Sequence, residues 1–209
     1  MKIVCISDTH GRHERLRVSA CDLLVHAGDA TRRGRVAELE ATLHWMSQQP
    51  AEHRIYVAGN HDTYCEQDPE GTRTLAERHG VQYLCDEGTT VGGLEIWGSP
   101  VTPYFRGMAF NRPRGAEIAK HWAEIPSGLD LLITHGPPRG LGDRTILGMR
   151  VGCEDLLTRV REVEPKMHVF GHIHEAAGSY RLPGCATGFF NVASSRLLPM
   201  VREPIALFM

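Results

Sequence analysis

HRIYVAGNHD, residues 53–62, contains the pattern that decides the fold. Its apolar run, IYVA, ends abruptly in a glycine followed by three polar side chains, Asn60, His61 and Asp62. Continuous apolar runs of this length are typical of strands that are buried on both faces of a sheet. The stretch therefore predicts a buried strand that carries polar groups at its carboxyl end.

Four further segments have the same form, each a short apolar run that stops in polar residues. They are KIVCISDTH (2–10), DLLVHAGDA (22–30), LDLLITHGPP (129–138) and KMHVFGHIH (166–174). Shorter β-rich segments are separated by Gly and Pro, at 81–86, 90–99, 188–195 and 204–209.

Helical patterns separate several of these strands, at 34–49, 114–124 and 153–163. The first places Val36, Leu39, Leu43 and Met46 on one face and stops before a proline. Strands that alternate with helices, followed by a strand-rich second half, predict an α/β fold with at least two sheets.

Composition narrows the classes of function. The chain has 209 residues, and we expect one domain over residues 1–209. Its net charge of -2 offers no basic surface, so we expect no stable nucleic-acid partner. No apolar run approaches the roughly 20 residues of a membrane span, and the N-terminus does not resemble a signal peptide. Six scattered cysteines without a C-x-x-C pair predict free thiols and a cytoplasmic location.

Metal-binding side chains follow each of the five main strands. They are Asp8, His10, Asp29, Asn60, His61, His135, His172 and His174. A single histidine after a strand is most often structural, but five such strand ends in order favour a shared site. The carboxyl ends of strands are where α/β folds build their sites, so these groups can converge. In the D-x-H and H-x-H motifs, residues i and i+2 of an extended backbone point the same way.

Carboxylate, imidazole and amide ligands suit Mn, Fe, Zn or Ni better than Ca or Cu(I). Even without His61, the seven other side chains are too many for one tetrahedral ion and fit two ions that share a bridging carboxylate. With two divalent ions, Asp8, Asp29 and a bridging hydroxide, the cluster keeps a charge of about +1, which can hold a phosphate. Asn60 supplies an oxygen ligand without cancelling that charge.

The order of motifs resembles the metallophosphoesterase (calcineurin-like phosphoesterase) superfamily, whose pattern is D-x-H, G-D, G-N-H-[DE], H and G-H-x-H. The matching segments are 8–10, 28–29, 59–62, 135 and 171–174. The wider sequence is similar to the metallophosphoesterase domain-containing protein family, in THGPPRGLGD (134–143), RVGCEDLL (150–157), HVFGHIHEA (168–176) and PYFRGMAFNRPRG (103–115). Some members of that family have glycine at the position of His172, whereas this chain has the full ligand set.

The resemblance implies a four-layer αββα sandwich with two mixed β-sheets. It also implies two metal sites. The first would be held by Asp8, His10, Asp29 and His174. The second would be held by Asp29, Asn60, His135 and His172. Asp29 would bridge the two ions. A hydroxide between the ions would attack phosphorus, and His61 would contact the phosphate or protonate the leaving oxygen. We expect Asp62 to orient His61 and hold its proton.

Three residues outside the motifs are candidates for binding substrate: Arg139, Tyr104 and Arg106. Arg139 follows His135 by four residues, and the other two lie in the long loop 100–115. For the arginines, a solvated loop charge is the competing interpretation. For Tyr104, with Phe105 and Phe110, the alternatives are a stacking platform for a nucleobase and an anchor of the loop to the core.

These observations predict a dinuclear metal-dependent phosphohydrolase with Mn as the first choice of metal, and Fe, Zn, Ni or Mg as alternatives. The resemblance favours a phosphodiesterase, with a cyclic nucleotide such as 2′,3′-cAMP or 3′,5′-cAMP as a small-molecule substrate. A phosphomonoesterase or protein phosphatase would use the same ligands. A non-catalytic binding module is the third alternative, but every motif position is filled here. The sequence predicts nothing about oligomeric state.

Overall fold

The computed structural model describes residues 1–195 and 201–209. Its strands, in chain order, are β1 Lys2–Ile6, β2 Cys21–Ala27, β3 Ala51–Val57, β4 Gln82–Leu84, β5 Glu87–Val91, β6 Leu94–Ser99, β7 Thr102–Pro103, β8 Asn111–Arg112, β9 Leu131–Thr134, β10 Met167–Phe170, β11 Gly178–Arg181, β12 Gly188–Asn191 and β13 Ile205–Phe208. All five main strands of the sequence analysis are present. The segment 90–99 contributes to two strands, because its glycine pair makes the turn of a hairpin between β5 and β6.

The helices are α1 Val36–Ser47, α2 Thr63–Gln67, α3 Pro69–Arg78, α4 Ala116–Ala123 and α5 Glu154–Val163, with short 3-10 turns at His13–Arg15 and His174–Ala176. Three of them match the predicted helices to within two residues at each end. The sequence analysis missed α2 and α3, whose polar sequences carry little apolar periodicity. Asp68 accepts a hydrogen bond from the Gly71 N–H at 2.9 Å, and Pro69 occupies the first turn of α3. This local start signal is present in the sequence.

Two mixed sheets carry the fold. The first has the strand order β13-β1-β2-β3-β4, and the second has β11-β12-β10-β9-β6-β5. β1, β2, β3 and β4 run parallel, and so do β6, β9, β10 and β12. The C-terminal strand β13 closes one edge by pairing antiparallel with β1.

Three separate apolar cores lie between four layers. Side chains of β1 alternate, so that Val4 and Ile6 pack under α1 while Ile3 and Cys5 face the second sheet. The outer core of the second sheet lies under α4 and α5, where Trp122 is buried. The helix–sheet–sheet–helix order confirms the predicted αββα sandwich of two mixed sheets. Val36 differs from the prediction, since it is 43% exposed at the start of α1.

His168 is a buried, neutral histidine inside the second sheet. Its Nε2 lies 2.8 Å from the Thr134 hydroxyl, which itself donates to the Gly136 carbonyl. Burial lowers the pKa of His168 from 6.5 to about 3. No helix in the two ranges described above is long and apolar enough to cross a membrane.

The carboxyl ends of the parallel strands in the two sheets meet at one place. Ser7, directly after β1, forms a parallel bridge with Ala193, the second residue after β12, and the Ser194 N–H donates to the Ser7 carbonyl at 2.8 Å. The Asp8 N–H donates to the Gly28 carbonyl at 2.8 Å, which fixes the segment after β1 against the segment after β2. These backbone bonds bring polar residues from both sheets to one junction.

Candidate metal centre

The strand ends turn sharply into the junction. Among the described residues, eight residues other than glycine have a positive φ angle. Four of them are predicted metal ligands: Asp8 at 55°, His10 at 45°, Asp29 at 55° and His172 at 69°. This backbone region costs a residue with a Cβ on the order of 1 kcal/mol, and such strain clusters at functional sites. The strain is concentrated where side chains are aimed at a common point.

One group of donor atoms joins the two sheets. Asp8 and His10 follow β1, and His174 follows β10. The His174 Nε2 lies 3.2 Å from Asp8 Oδ1 and 3.2 Å from His10 Nε2. Asp29, which follows β2, has its Oδ2 3.8 Å from His10 Nε2. The four residues expected at the first metal site therefore lie together.

A second group shares the Asp29 carboxylate. The His135 Nε2 lies 3.4 Å from Asp29 Oδ1 and 2.9 Å from Asn60 Oδ1. His172 packs edge-on against His135, with the ring centroids 5.0 Å apart. One ligand atom from each of Asp29, His135 and His172 can be chosen within 4.8 Å of the others. The four residues expected at the second site therefore also lie together, with Asp29 between the two groups.

The orientation of the imidazoles fits cation binding. The His135 Nδ1 lies 2.9 Å from the Ala27 carbonyl, and the His10 Nδ1 lies 3.2 Å from the Thr31 carbonyl. A carbonyl oxygen only accepts, so each Nδ1 carries a proton and donates it. When the ring is neutral, Nε2 then turns a lone pair towards the centre, as a metal ligand must. Asn60 likewise presents its Oδ1 to the His135 Nε2. Acceptor atoms that face one another in this way fit two divalent ions.

The carboxylates at the centre are held ionised. Burial alone would raise the pKa of Asp8, but the hydrogen bond and charge of His174 and the charge of His135 outweigh it and lower that pKa. The same holds for the pKa of Asp29, where burial is outweighed by the charge and hydrogen bond of His135 and the charge of His10. Both carboxylates are almost fully buried, so this negative charge is focused on the centre.

The two inner imidazoles differ in their protonation. Burial would lower the pKa of His135, but the charge and hydrogen bond of Asp29 raise it to about 9. Burial, with the nearby charge of His135, lowers the pKa of His172 to about 4. In the metal-free protein at neutral pH, a proton on His135 therefore partly balances the carboxylates. A cation that binds there must displace this proton.

Glycines make room for the ligands. A Cβ on Gly171 would lie 2.3 Å from Asp8 Oδ2, and one on Gly59 would lie 2.3 Å from Asp29 Oδ1. Such contacts are far inside van der Waals distance. The glycines of the G-H-x-H and G-N-H motifs are therefore required for close approach to the two carboxylates.

His61 lies at the mouth of the centre. Its side chain is 38% exposed, and its Nε2 lies 4.0 Å from Asp29 Oδ2. The ring contacts His10 edge-on at 4.8 Å, and its Nδ1 lies 3.4 Å from the Arg32 carbonyl. The backbone N–H of His61 donates to Asp29 Oδ1 at 2.8 Å. The ring is thus next to the ligands and open to solvent.

Asp62 does not contact the His61 ring, contrary to the orienting role that we expected. Its buried carboxylate accepts hydrogen bonds from the Thr31 N–H and hydroxyl, both at 2.8 Å. It also accepts from the Gly59 N–H and the Tyr56 hydroxyl, both at 2.8 Å. The short side chain points back beneath the turn, so it ties the segments after β2 and β3 together.

The three predicted substrate-binding residues lie outside the ligand groups. The Arg139 Nη1 donates to the Arg150 carbonyl at 2.8 Å, and its Nε lies 3.9 Å from Glu154. Arg106 lies over the Phe105 ring, 5.0 Å from the centroid. Tyr104 is 66% exposed and lines a cavity that also contacts His172.

The aromatic loop has one buried ring and two exposed rings. Phe110 is 4% exposed and belongs to the core under α1, so it anchors the loop. Phe105 is 52% exposed and lines the same cavity as Tyr104. Sequence analysis missed other residues that line this cavity, among them Thr145 and Met149. The sequence signal for these residues is weak, because the segment 142–152 mixes polar and apolar residues without helix or strand periodicity.

Comparisons with known proteins agree with this arrangement. The family model described as calcineurin-like phosphoesterase matches residues 1–176. The chain is 40% identical over 200 residues to metallophosphoesterase domain-containing protein 1 of Homo sapiens, covering 85% of this chain and 61% of the human protein. It is 37% identical over 205 residues to UPF0046 protein K07C11.7 of Caenorhabditis elegans, covering 92% and 69%. The chain thus spans about three fifths of the length of the human relative.

Among solved structures, the fold is similar to that of phosphopantetheinyl hydrolase from Mycobacterium tuberculosis. The TM-score is 0.63 at 15% sequence identity, and the match covers 92% of this chain and 88% of the other. The protein TT1561 of Thermus thermophilus gives a TM-score of 0.62 at 14% identity, covering 91% and 88%. Identities this low show a shared fold and nothing about substrate.

Proposed function

Because this chain belongs to the calcineurin-like phosphoesterase family, we propose that it is a metal-dependent phosphoric ester hydrolase, and more narrowly a phosphodiesterase. The observation that carries the proposal is the pair of ligand groups that share Asp29. Two ions bridged by one carboxylate are the usual arrangement for stabilising the attacking and leaving oxygens in a displacement at phosphorus. The half-exposed His61 ring next to that carboxylate would supply an acid–base group to this site.

Each metal ligand has an assigned place in this proposal. Asp8, His10, Asp29 and His174 would hold one divalent ion, and Asp29, Asn60, His135 and His172 would hold the other. When bound, such ions supply Lewis-acid activation of water and neutralise phosphate charge. We propose Mn as the metal, with Fe, Zn, Ni or Mg as alternatives, since the mixed oxygen and nitrogen donors suit all of them to some degree.

His61 would serve as the catalytic acid. Its Nδ1 lies near the Arg32 carbonyl, which keeps a proton on that nitrogen. The Nε2, on the Asp29 side of the ring, is then the atom that takes up or gives a proton when a substrate is present. Asp62 would act as a positioning residue, since it holds the turn that presents His61.

The alternative function is a phosphomonoesterase or protein phosphatase on the same site. One observation favours it: Arg12, Arg32 and Arg35 line a depression together with His10. Arginines that share a depression with a predicted ligand suit the dianionic phosphate of a monoester. An open centre with room for a second ester group favours the diester, and a cyclic nucleotide is one substrate that fits this proposal.

Hydrolysis of bis-p-nitrophenyl phosphate and p-nitrophenyl phosphate, measured side by side, tests the proposal. The protein is stripped with a chelator, assayed, and assayed again after Mn is added. We expect metal-restored activity that favours the diester. The His61→Ala variant should lose about 100-fold or more in kcat, the usual range for general acid–base groups. His53→Ala, an exposed histidine on β3, is the matched control and should match wild type.

The outcomes separate the alternatives. A preference for the monoester would favour the second function. Absence of metal-restored activity on both substrates would contradict enzymatic function and favour a binding module. If the His61→Ala variant keeps the metal-restored activity of wild type, the hydrolase function is supported but His61 is not the catalytic acid.

We propose one domain over residues 1–209, supported by the strands that the three cores share. We propose a cytoplasmic location, supported by six cysteines that all lie among the described residues and form no disulfide there. We propose a small-molecule phosphoester as the substrate, without a stable nucleic-acid partner.

A further inference from the structure

A largely apolar cavity opens beside the metal-ligand groups. Its volume is about 450 Å³, and one of its walls is the predicted ligand His172. Most of the other lining side chains are apolar: Pro103, Tyr104, Phe105, Pro137, Met149, Val151 and Ile173. Because His172 lines the cavity, a group in the cavity could be part of a substrate whose phosphate lies at the metal centre.

One wall of the cavity is a small hairpin. Arg144 and Arg150 pair as an antiparallel bridge, and the Thr145 N–H donates to the Met149 carbonyl at 2.9 Å. The Ile146 N–H donates to the Glu175 carboxylate, which ties the hairpin to the turn after His174. The hairpin is thus built in a fixed place beside the centre.

Exposed apolar side chains are concentrated around this cavity. Seven large hydrophobic residues are exposed among those described, and five of them lie in the hairpin or the facing loop: Tyr104, Phe105, Ile146, Leu147 and Met149. Single exposed hydrophobic residues need no explanation, but a cluster at one cavity does. The cluster indicates that this apolar surface has a binding role.

The cavity has few polar groups that could bind a charged ligand. The Arg114 guanidinium donates to the carbonyls of Gly152 and Val151, at 2.8 and 2.7 Å. The Thr145 hydroxyl is buried and has no hydrogen-bond partner. The cavity thus combines apolar walls with few accessible polar groups, a pattern that is typical of small-molecule sites.

We propose that this cavity is a substrate subsite that binds an uncharged, apolar ester substituent of the phosphodiester. The proposal rests on the proposed hydrolase function. The substituent is an aromatic ring or an alkyl chain that lies against the lining residues Tyr104 and Met149. The subsite selects between diesters by the size of their second substituent. Few donors or acceptors line it, so it discriminates little between polar groups.

Three diesters with the same leaving group test the subsite: methyl, hexyl and phenyl p-nitrophenyl phosphate. In wild type we expect kcat/KM for the hexyl or phenyl diester to exceed that for the methyl diester by at least about tenfold. The ratio of phenyl to hexyl then identifies the apolar group as a ring or a chain.

Two serine substitutions in the same hairpin form a matched pair. Met149 lines the cavity and is 56% exposed, whereas Leu147 is 80% exposed and does not line it. Met149→Ser should lower kcat/KM for the larger diesters about tenfold and leave the methyl diester unchanged. Leu147→Ser should change none of the three. Each variant is compared with wild type on the same substrate, so intrinsic reactivity cancels.

Binding to the metal-free protein gives a readout that does not require activity. In calorimetry, diphenyl phosphate should bind at least about tenfold more tightly than dimethyl phosphate. Met149→Ser should remove this difference in affinity. Equal affinity for both would overturn the subsite, as would equal kcat/KM for all diesters in an active enzyme. Equal losses in the Leu147 and Met149 variants would also overturn it. Absence of activity on every diester would refute the hydrolase function. The calorimetric comparison would then still test whether the cavity binds an apolar substituent.

Discussion

Replacing Asn60 by aspartate tests how charge is set at the metal centre. Asn60 is 3% exposed, and its Oδ1 lies 2.9 Å from His135 Nε2. Its Nδ2 donates to the Met108 sulfur, at 3.1 Å, which is a weak acceptor. Asn60→Asp therefore keeps the shape and the ligand oxygen and adds one negative charge. If the cluster needs a residual positive charge to act on phosphate, affinity for metal and activity should move in opposite directions.

The size of the effect follows from the short distances. Two unit charges about 4 Å apart interact by about 4 kcal/mol at an effective dielectric constant of about 20. Part of this gain is offset in the metal-free protein, because His135 has a pKa of about 9 and its proton would pair with the new carboxylate. A net gain of about 1–3 kcal/mol, roughly 5- to 150-fold tighter binding of Mn, remains. We expect kcat to fall about 10- to 100-fold, because the charge that stabilises the transition state is cancelled.

The assay pairs calorimetric titration of Mn into chelator-stripped protein with kcat on bis-p-nitrophenyl phosphate. Asn60→Ala is the comparison, since it removes the ligand oxygen and should weaken both metal binding and kcat. Weaker Mn binding in Asn60→Asp together with an unchanged kcat would refute the charge argument. A fall in both quantities, as in Asn60→Ala, would show that the amide matters for geometry and not for charge.

Three further variants test the supporting structure. Gly171→Ala places a Cβ 2.3 Å from Asp8 Oδ2, so we expect at least about tenfold weaker Mn binding and a loss of about 1–3 kcal/mol in unfolding free energy, measured by calorimetry and urea titration. Tyr56→Phe removes the hydroxyl that donates to Asp62 at 2.8 Å, and urea titration should show a loss of about 1–2 kcal/mol. For His168, the native pKa of about 3 lies below the unfolded value near 6.5, so the unfolded state binds more protons as pH falls. The free energy of unfolding should then fall by about 2 kcal/mol from pH 7 to pH 5 through this residue, and His168→Gln should remove that part.

Each of these expectations has an outcome that contradicts it. Wild-type Mn affinity in Gly171→Ala would mean that the ligands shift freely. An unchanged urea midpoint in Tyr56→Phe would mean that water replaces the phenol. A His168→Gln variant that loses as much stability as wild type between pH 7 and pH 5, both measured in chelator, would assign the pH dependence to other groups.

The strands were predictable because burial on both faces leaves a strong local signal. Runs such as IYVA carry no charged residue, so a single sequence marks both their length and their end. α2 and α3 gave no such signal, since the buried apolar residues are only Cys65 in α2 and Leu75 and Ala76 in α3. Their position depends on contact with the first sheet, which local sequence does not encode.

Asp62 illustrates why adjacency in sequence did not give the correct contact. The residue follows His61 directly, which made an orienting hydrogen bond a reasonable expectation. The turn after β3 sends the two side chains in different directions, one to the mouth and one beneath the backbone. The bond from Tyr56 comes from β3 itself, whereas the bonds from Thr31 come from the segment after β2, which the pairing of β2 with β3 brings beside Asp62.

The sequence by itself determined the fold class and the types of side chain at each strand end, because strand burial and ligand chemistry are properties of short segments. Tertiary structure decided how those side chains meet. Asp8 and His174 come from different sheets, 166 residues apart, and their 3.2 Å contact exists only because the two sheets pack face to face. The apolar cavity arises in the same way, from two loops that share no sequence pattern. Contacts between distant segments depend on the summed packing of the whole chain, which no single segment carries.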